Sequence, residues 1–186
     1  MKVTESIIQN RLARMFRFDG GLKIIVPNAV MSWGECDLLT MTKAGYLREY
    51  EIKLSKADFL ADRKKRHDVR IEGARFSDWK KNYKEMSKLE WLASEYNKSV
   101  KEFTYVISGF EIEEYELPDY AGLMVFNPDS WQISEIRAPK KLGGKKADER
   151  LQIYLLQKCM YRMLDNMARW DDNAYNKSKE GSKIIA

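Results

Sequence analysis

From Tyr46 to Leu54 the chain alternates strictly: Tyr46, Arg48, Tyr50, Ile52 and Leu54 share one side of an extended backbone, and Glu49, Glu51 and Lys53 share the other. A β-strand separates them in this way because successive side chains point to opposite faces of the sheet. Ile52 then enters a core while Glu51 and Lys53 stand together on the opposite face. Two more strand-like runs precede this one. Leu22 to Val26 is apolar and β-branched, and Pro27-Asn28 is expected to bend or end it. Glu35 to Met41 reads as the second strand, and Lys43-Ala44-Gly45 as the turn that folds the third back onto it. The three form a meander.

Helical periods flank the meander. Thr4 followed by Ile7, Ile8, Leu12, Met15 and Phe16 predicts a helix over residues 4–17, broken at Asp19-Gly20-Gly21. Ser55 is a suitable N-cap for a second helix carrying Phe59 and Leu60, with Asp58 in its first turn and the basic run Arg63-Lys64-Lys65-Arg66-His67 at its end. Trp79, Tyr83, Met86, Leu89, Leu92 and Tyr96 recur at helical intervals, so residues 77–96 read as one long amphipathic helix and 68–100 as a helical insertion. Strands are expected at Phe103–Ser108, Ala121–Asn127 and Trp131–Ile136, separated by Gly109, Pro118 and Pro128. Leu151 to Trp170 reads as a C-terminal helix, and 171–186 as a polar, frayed tail. The whole predicts a single α/β domain over 1–186, with a mixed sheet flanked by helices.

The 186 residues are 44% hydrophobic and 33% charged, enough apolar surface for a sizeable core. No run approaches the roughly 18 apolar residues of a membrane span, and the start MKVTES lacks a signal-peptide stretch, so a cytoplasmic protein is expected. Cys36 and Cys159 have no metal-ligand spacing and read as reduced core residues, Cys36 facing away from Asp37. There is no Walker or dinucleotide glycine motif and no Gly-x-Ser-x-Gly, and the sole histidine, His67, reads as a surface residue of the basic run. The net charge of +5 is segregated. Residues 53–101 hold 14 basic and 8 acidic side chains, 110–135 hold seven carboxylates and no Lys or Arg, and 137–150 hold six basic against two acidic.

Chemistry is suggested where the second and third strands meet. If the turn at 43–45 pairs them, Asp37 lies beside Glu51, and two carboxylates converge next to Lys53. Two carboxylates with a backbone carbonyl make a hard oxygen site suited to Mg2+ or Mn2+, which keep waters and bind substrate phosphate. A lysine beside them offsets charge and can orient or deprotonate an attacking water. Acid-x-Lys alone is a weak signal, since it recurs at Asp62 and Asp78, and strand charges often simply face solvent.

The order helix with Glu5, strand, strand with Gly34-Glu35-Cys36-Asp37, strand with Glu51-Ile52-Lys53, then a helix opening Leu54-Ser55-Lys56-Ala57-Asp58-Phe59 resembles the PD-(D/E)XK nuclease superfamily. Residues 51–62, with Leu117-Pro118-Asp119-Tyr120-Ala121-Gly122-Leu123 downstream, look like its MmcB-like DNA-repair branch. Cys36 stands where the motif has Pro. The resemblance covers roughly 1–66 and 101–142 and implies a restriction-endonuclease-like αβββαβ core. It implies Asp37, Glu51 and the Ile52 carbonyl as metal ligands for Mg2+, with Mn2+ able to substitute, Lys53 as the catalytic lysine, and Glu5 as an acid added from the first helix. The activity implied is a Mg-dependent deoxyribonuclease, an endonuclease rather than an exonuclease, directed by DNA structure in repair or recombination.

Ser55, Lys56, Arg63, Lys64 and Lys65 are the candidate contacts to backbone phosphates. Each has a plainer reading. Ser55 serves equally as an N-cap, Glu5 as a partner of the helix dipole, and Glu35 as a solvated strand-end charge, while Trp79 and Trp91 fit core packing better than base stacking. The competing function is a non-cleaving DNA-binding or adaptor protein on the same fold. RNA as substrate and assembly into a homodimer both stay open.

Overall fold

A computed structural model describes residues 2–18, 20–31, 33–70 and 83–182. Helix α1 (Glu5–Arg17) leads into strands β1 (Leu22–Met31), β2 (Gly34–Thr42) and β3 (Leu47–Lys53), followed by helix α2 (Lys56–Asp62). Next come β4 (Arg66–Arg70), β5 (Tyr83–Ser87) and α3 (Lys88–Ala93), then β6 (Val100–Ile107), β7 (Gly122–Asn127), β8 (Gln132–Arg137) and α4 (Glu149–Ser182). Six strands form one mixed sheet in the order β1-β2-β3-β6-β7-β8, and β4 and β5 form a separate antiparallel pair. β6 runs parallel to both β3 and β7, so the meander is extended by crossovers, as an α/β sheet requires. Setting β4, β5 and α3 aside as an insertion, the order α1, β1, β2, β3, α2, β6 is the expected αβββαβ core.

The alternation in β3 decides the layers. Tyr50 and Ile52 join Leu38, Val106, Met124 and Phe126 under the apolar stripe Ile8, Leu12 and Phe16 of α1. Burying each such side chain contributes about 1.5–3 kcal/mol. On the other face, Phe59 of α2 meets Tyr105 edge-on at 5.0 Å, and Phe103 packs edge-on against the same ring at 4.9 Å. Gly45 closes the β2–β3 turn at φ 90°, a region that favours glycine.

Several sequence expectations give way. β1 does not end at Pro27-Asn28 but runs on to Met31, with Asn28 at φ 45°. As an edge strand β1 tolerates a proline, whose missing N–H removes no ladder bond on the open side. The long helix expected over 77–96 is also replaced. Within its described part, Tyr83–Ser87 is a strand paired with β4, and the helix begins only at Lys88. Its start is fixed by a capping box: Glu90 N donates to Ser87 Oγ at 3.2 Å, and Ser87 N donates to Glu90 Oε2 at 2.7 Å. The described part of the 68–100 insertion is thus an antiparallel strand pair followed by a short helix, and Trp79 lies outside the described residues. α2 ends at Asp62, so the basic run occupies the turn after it and the start of β4 rather than a helical face.

At the other end of the chain, the helix continues through Ser182, where a frayed tail was expected from residue 171. Residues up to Asp148 form one compact unit, and the chain from Glu149 is a second. Among the described residues no helix is long and apolar enough to cross a membrane. Cys36 is buried as expected, its thiol 3.4 Å from the Ala29 carbonyl.

The segment after β8 is laced to the sheet by main-chain hydrogen bonds: Leu142 N to Lys101 O, Lys145 N to Lys98 O and Ala147 N to Gly45 O, each 2.8 Å. Gly144 lies so close to β6 that an added Cβ would stand 2.3 Å from the Val100 carbonyl carbon. Gly144→Ala is therefore expected to destabilise the protein by about 1–3 kcal/mol, the cost of overpacking against backbone that cannot yield. Urea unfolding measures it, and an unchanged midpoint would contradict the close packing.

Candidate active site

The β2–β3 ladder pairs Leu39 with Glu49 and Leu38 with Tyr50, so one step further Asp37 stands opposite Glu51, as the sequence predicts. The ladder stops there. Asp37 Oδ2 takes the Ile52 amide at 2.6 Å, a charge-assisted bond that replaces main-chain pairing and fixes the carboxylate where the strands part. Ile52 itself is buried, and its side chain packs under α1. Gln9 of α1 ties the region together: its amide nitrogen donates to Glu5 Oε1 at 2.8 Å, to the Asp37 carbonyl at 3.0 Å and to Asn28 Oδ1. Glu5 is thereby steered toward the same end of the sheet.

On the opposite face of β3 the charges are buried. Lys53, 3% exposed, donates to Glu51 Oε1 at 3.1 Å and lies 3.4 Å from Asp62 Oδ1 of α2. The other oxygen of Glu51 is held by Lys88 at 2.8 Å. Lys88 Nζ also lies 2.5 Å from Glu49 Oε1 and donates to the Glu35 carbonyl at 3.0 Å. Glu49, fully buried, receives the Trp33 indole N–H at 2.9 Å, and Trp33 stacks on Trp91 of α3 at 5.1 Å. Trp91 is thus a packing residue, as expected.

Three members of this network, Glu49, Asp62 and Lys88, were not among the sequence candidates. Glu49 and Asp62 were visible as charges without assigned partners. Lys88 could be placed only by noticing Ser87-x-x-Glu90 as a helix start, and its 37-residue separation from Glu51 hides the contact.

The field is predominantly negative. Five carboxylates, Glu5, Asp37, Glu49, Glu51 and Asp62, surround two buried ammonium groups, with the exposed Lys65 adding a third cation at 3.3 Å from Asp62. Burial, followed by the Glu51 charge, pushes the Asp37 carboxyl up to about 7, against the pull of the Ile52 amide. Glu5 is raised by burial and by Glu51. For Lys53, burial alone would lower the pKa, but Glu51 and Asp62 outweigh it and hold the ammonium above its ordinary value. Lys88 is raised further by Glu49 and Glu51, again against burial. Both lysines are cations at neutral pH.

A pH effect follows. Folding lifts Asp37 from 3.8 to about 7, so between those values the native state binds the proton more tightly than the unfolded chain does. Stability from this group falls as pH rises through that window and is flat above it. Metal-free protein should accordingly melt lower at pH about 8 than at pH about 5, with a shallower decline in Asp37→Asn. Parallel declines in the two proteins would contradict the assignment.

Among the described residues no group of three or more His, Cys, Asp or Glu side chains is placed to hold a metal ion. The donors present are the Asp37–Glu51 pair, hard oxygens in a field short of positive charge, and this fits Mg2+ or Mn2+ completed by water and substrate oxygens. Glu51 would share its carboxylate with Lys53 and Lys88.

The candidate phosphate contacts are less open than the sequence suggests. Ser55 is the N-cap of α2, accepting the Asp58 amide at 3.2 Å. Lys56 is paired with Glu116, Lys65 with Asp62, and Arg66 with Glu90 at 3.4 Å. Arg63 and Lys64 are exposed and carry no ion pair among the described residues.

No protein-family model matches the sequence, and no curated protein matches it. The chain is similar in structure to the SPO1766 protein of unknown function from Silicibacter pomeroyi, with 18% identity, a TM-score of 0.52, and coverage of 90% of this chain and 91% of that one. That likeness shows a shared α/β fold with a mixed six-stranded sheet flanked by helices.

Proposed function

We propose that this chain is a divalent-cation-dependent deoxyribonuclease that cuts DNA internally, directed by DNA structure. The observation that carries the reading is the juxtaposition of Asp37 and Glu51 where β2 and β3 part, with Lys53 hydrogen-bonded to Glu51 two residues along the same strand. Asp37 and Glu51 would hold Mg2+ or Mn2+, which when bound supplies charge to polarise the scissile phosphodiester and acidify a water. Glu5, at the N-terminus of α1, would accept a hydrogen bond from a water on that side.

Because Glu51 and Asp62 keep Lys53 protonated, its part is that of a fixed cation. It orients the attacking water and offsets charge on the phosphorane-like transition state, and it does not remove a proton. Asp62 and Lys88 are positioning residues. Asp62 holds Lys53, and Lys88 holds Glu51 from the other side.

The second reading, a non-cleaving DNA-binding or adaptor protein, is favoured by one observation: both oxygens of Glu51 already meet ammonium groups. Incubating purified protein with duplex, single-stranded, flap and four-way DNA, and with RNA, each with Mg2+, Mn2+ or chelator, separates the two. Metal-dependent cleavage abolished by Asp37→Asn supports the nuclease. Binding without cleavage under any metal supports the adaptor.

A further inference from the structure

One group of cations not spent on carboxylates gathers away from the candidate active site. At the end of the sheet where β3 begins, Lys43 of the β2–β3 turn, Arg48, Lys101 and Lys141 line a groove of about 680 Å3 that contains one carboxylate, Glu102. Glu102 is taken by Arg48 at 2.7 Å. Lys101 and Lys146 lie over the Tyr46 ring at 5.7 and 5.8 Å, so the aromatic face holds two ammonium groups in place without neutralising them. Lys43, Lys98, Lys141 and Lys145 are without an ion pair among the described residues, in contrast to Lys56, Lys65 and Arg66 beside α2.

The arrangement is built into the backbone. The main-chain bonds from Leu142, Lys145 and Ala147 to Lys101, Lys98 and Gly45 lay residues 141–147 along the start of β6 and the β2–β3 turn. Gly144 permits that approach, because any Cβ there would collide with Val100. Lysines distant in sequence are thereby collected on one rim.

We infer that this rim is a binding site for the phosphate backbone of a nucleic acid, separate from the carboxylates. Five residue steps along β3, about 17 Å, divide Arg48 from Lys53. Lysines from three stretches of chain, the β2–β3 turn, the approach to and start of β6, and residues 141–146, are more than one phosphate needs and suit a polymer carrying a charge about every 3.4 Å per strand. The inference rests on the nucleic-acid part of the proposed function and not on its metal chemistry.

The test is anisotropy of labelled duplex DNA, and of duplex RNA of the same length, titrated with the full chain in chelator over a range of salt. For Lys141→Gln/Lys145→Gln/Lys146→Gln, the slope of log affinity against log salt is expected to shrink by about 2.7, and for Lys43→Gln/Lys98→Gln by about 1.8. A charge-matched triple elsewhere, Lys2→Gln/Lys84→Gln/Lys158→Gln, should change it less. A smaller slope for DNA alone or RNA alone identifies the polymer.

An unchanged slope in both rim variants, an equal fall in the control triple, or no binding of either polymer by the wild type would overturn the site. Cleavage without a rim effect would remove this inference and leave the nuclease standing. A rim effect without cleavage under any metal would do the reverse.

Discussion

Lys88→Ala should destabilise the protein by about 3–5 kcal/mol, the cost of breaking a buried ion pair from one side. Lys88 is the cation that meets fully buried Glu49, and it also holds Glu51 and the Glu35 carbonyl. Its loss leaves the Glu49 carboxylate with only the Trp33 N–H. For a domain whose whole stability is about 5–15 kcal/mol, much of the margin disappears. Replacing both ends, Lys88→Met with Glu49→Gln, should recover most of it, because the unpaired buried charge is gone and Glu51 keeps Lys53. Urea denaturation of the three proteins measures this directly. A loss below about 1 kcal/mol in Lys88→Ala, the range of an exposed pair, would show that the ammonium is not buried among these carboxylates.

The second large effect is on turnover. Lys53→Met should lower metal-dependent cleavage by about 10²–10³-fold, the scale on which a fixed charge aimed at the reacting phosphate acts. Lys53 is buried against Glu51 and Asp62, so the single substitution should also cost about 3–5 kcal/mol. Adding Asp62→Asn removes one stranded charge and should restore part of the stability while leaving cleavage lost. Initial rates on supercoiled DNA, beside melts of the same proteins, separate chemistry from folding. A double variant that cuts at the wild-type rate would end the role given to Lys53.

How much of this could be read from the chain depends on the range of each interaction. The meander, the Gly45 turn and the Ser55 cap were legible because alternation, a positive φ and a side-chain cap are local properties. From the meander alone Asp37 could be set beside Glu51. The stretch around Tyr83 was misread because its aromatic and apolar spacing fits a helix, while pairing with β4 makes it a strand and the Ser87–Glu90 box starts the helix only afterwards. Pro27-Asn28 signals a bend or an end equally well in sequence, and only the edge position of β1 decides that the strand continues. The basic residues around α2 are only partly open to phosphate, because Glu116, Asp62 and Glu90 lie against Lys56, Lys65 and Arg66, contacts that span up to 60 residues and that local sequence does not show. Lys88 lay furthest from view, since its partners are 37 and more residues earlier in the chain.

The central claim is that Asp37 and Glu51 form a divalent-cation site. Asp37 carries a raised pKa from burial and from Glu51, a repulsion that a bound cation would relieve. Thermal melts of wild type and Asp37→Asn, each with chelator and with saturating Mn2+, test it most directly. Asp37→Asn is the informative variant because it spares the Lys53 and Lys88 contacts to Glu51. Mn2+ at 100 times its dissociation constant should stabilise the wild type by about 2.7 kcal/mol and raise its melting temperature, leaving Asp37→Asn unmoved. A wild-type melt that saturating Mn2+ does not shift, or an equal rise in both proteins, would contradict the claim.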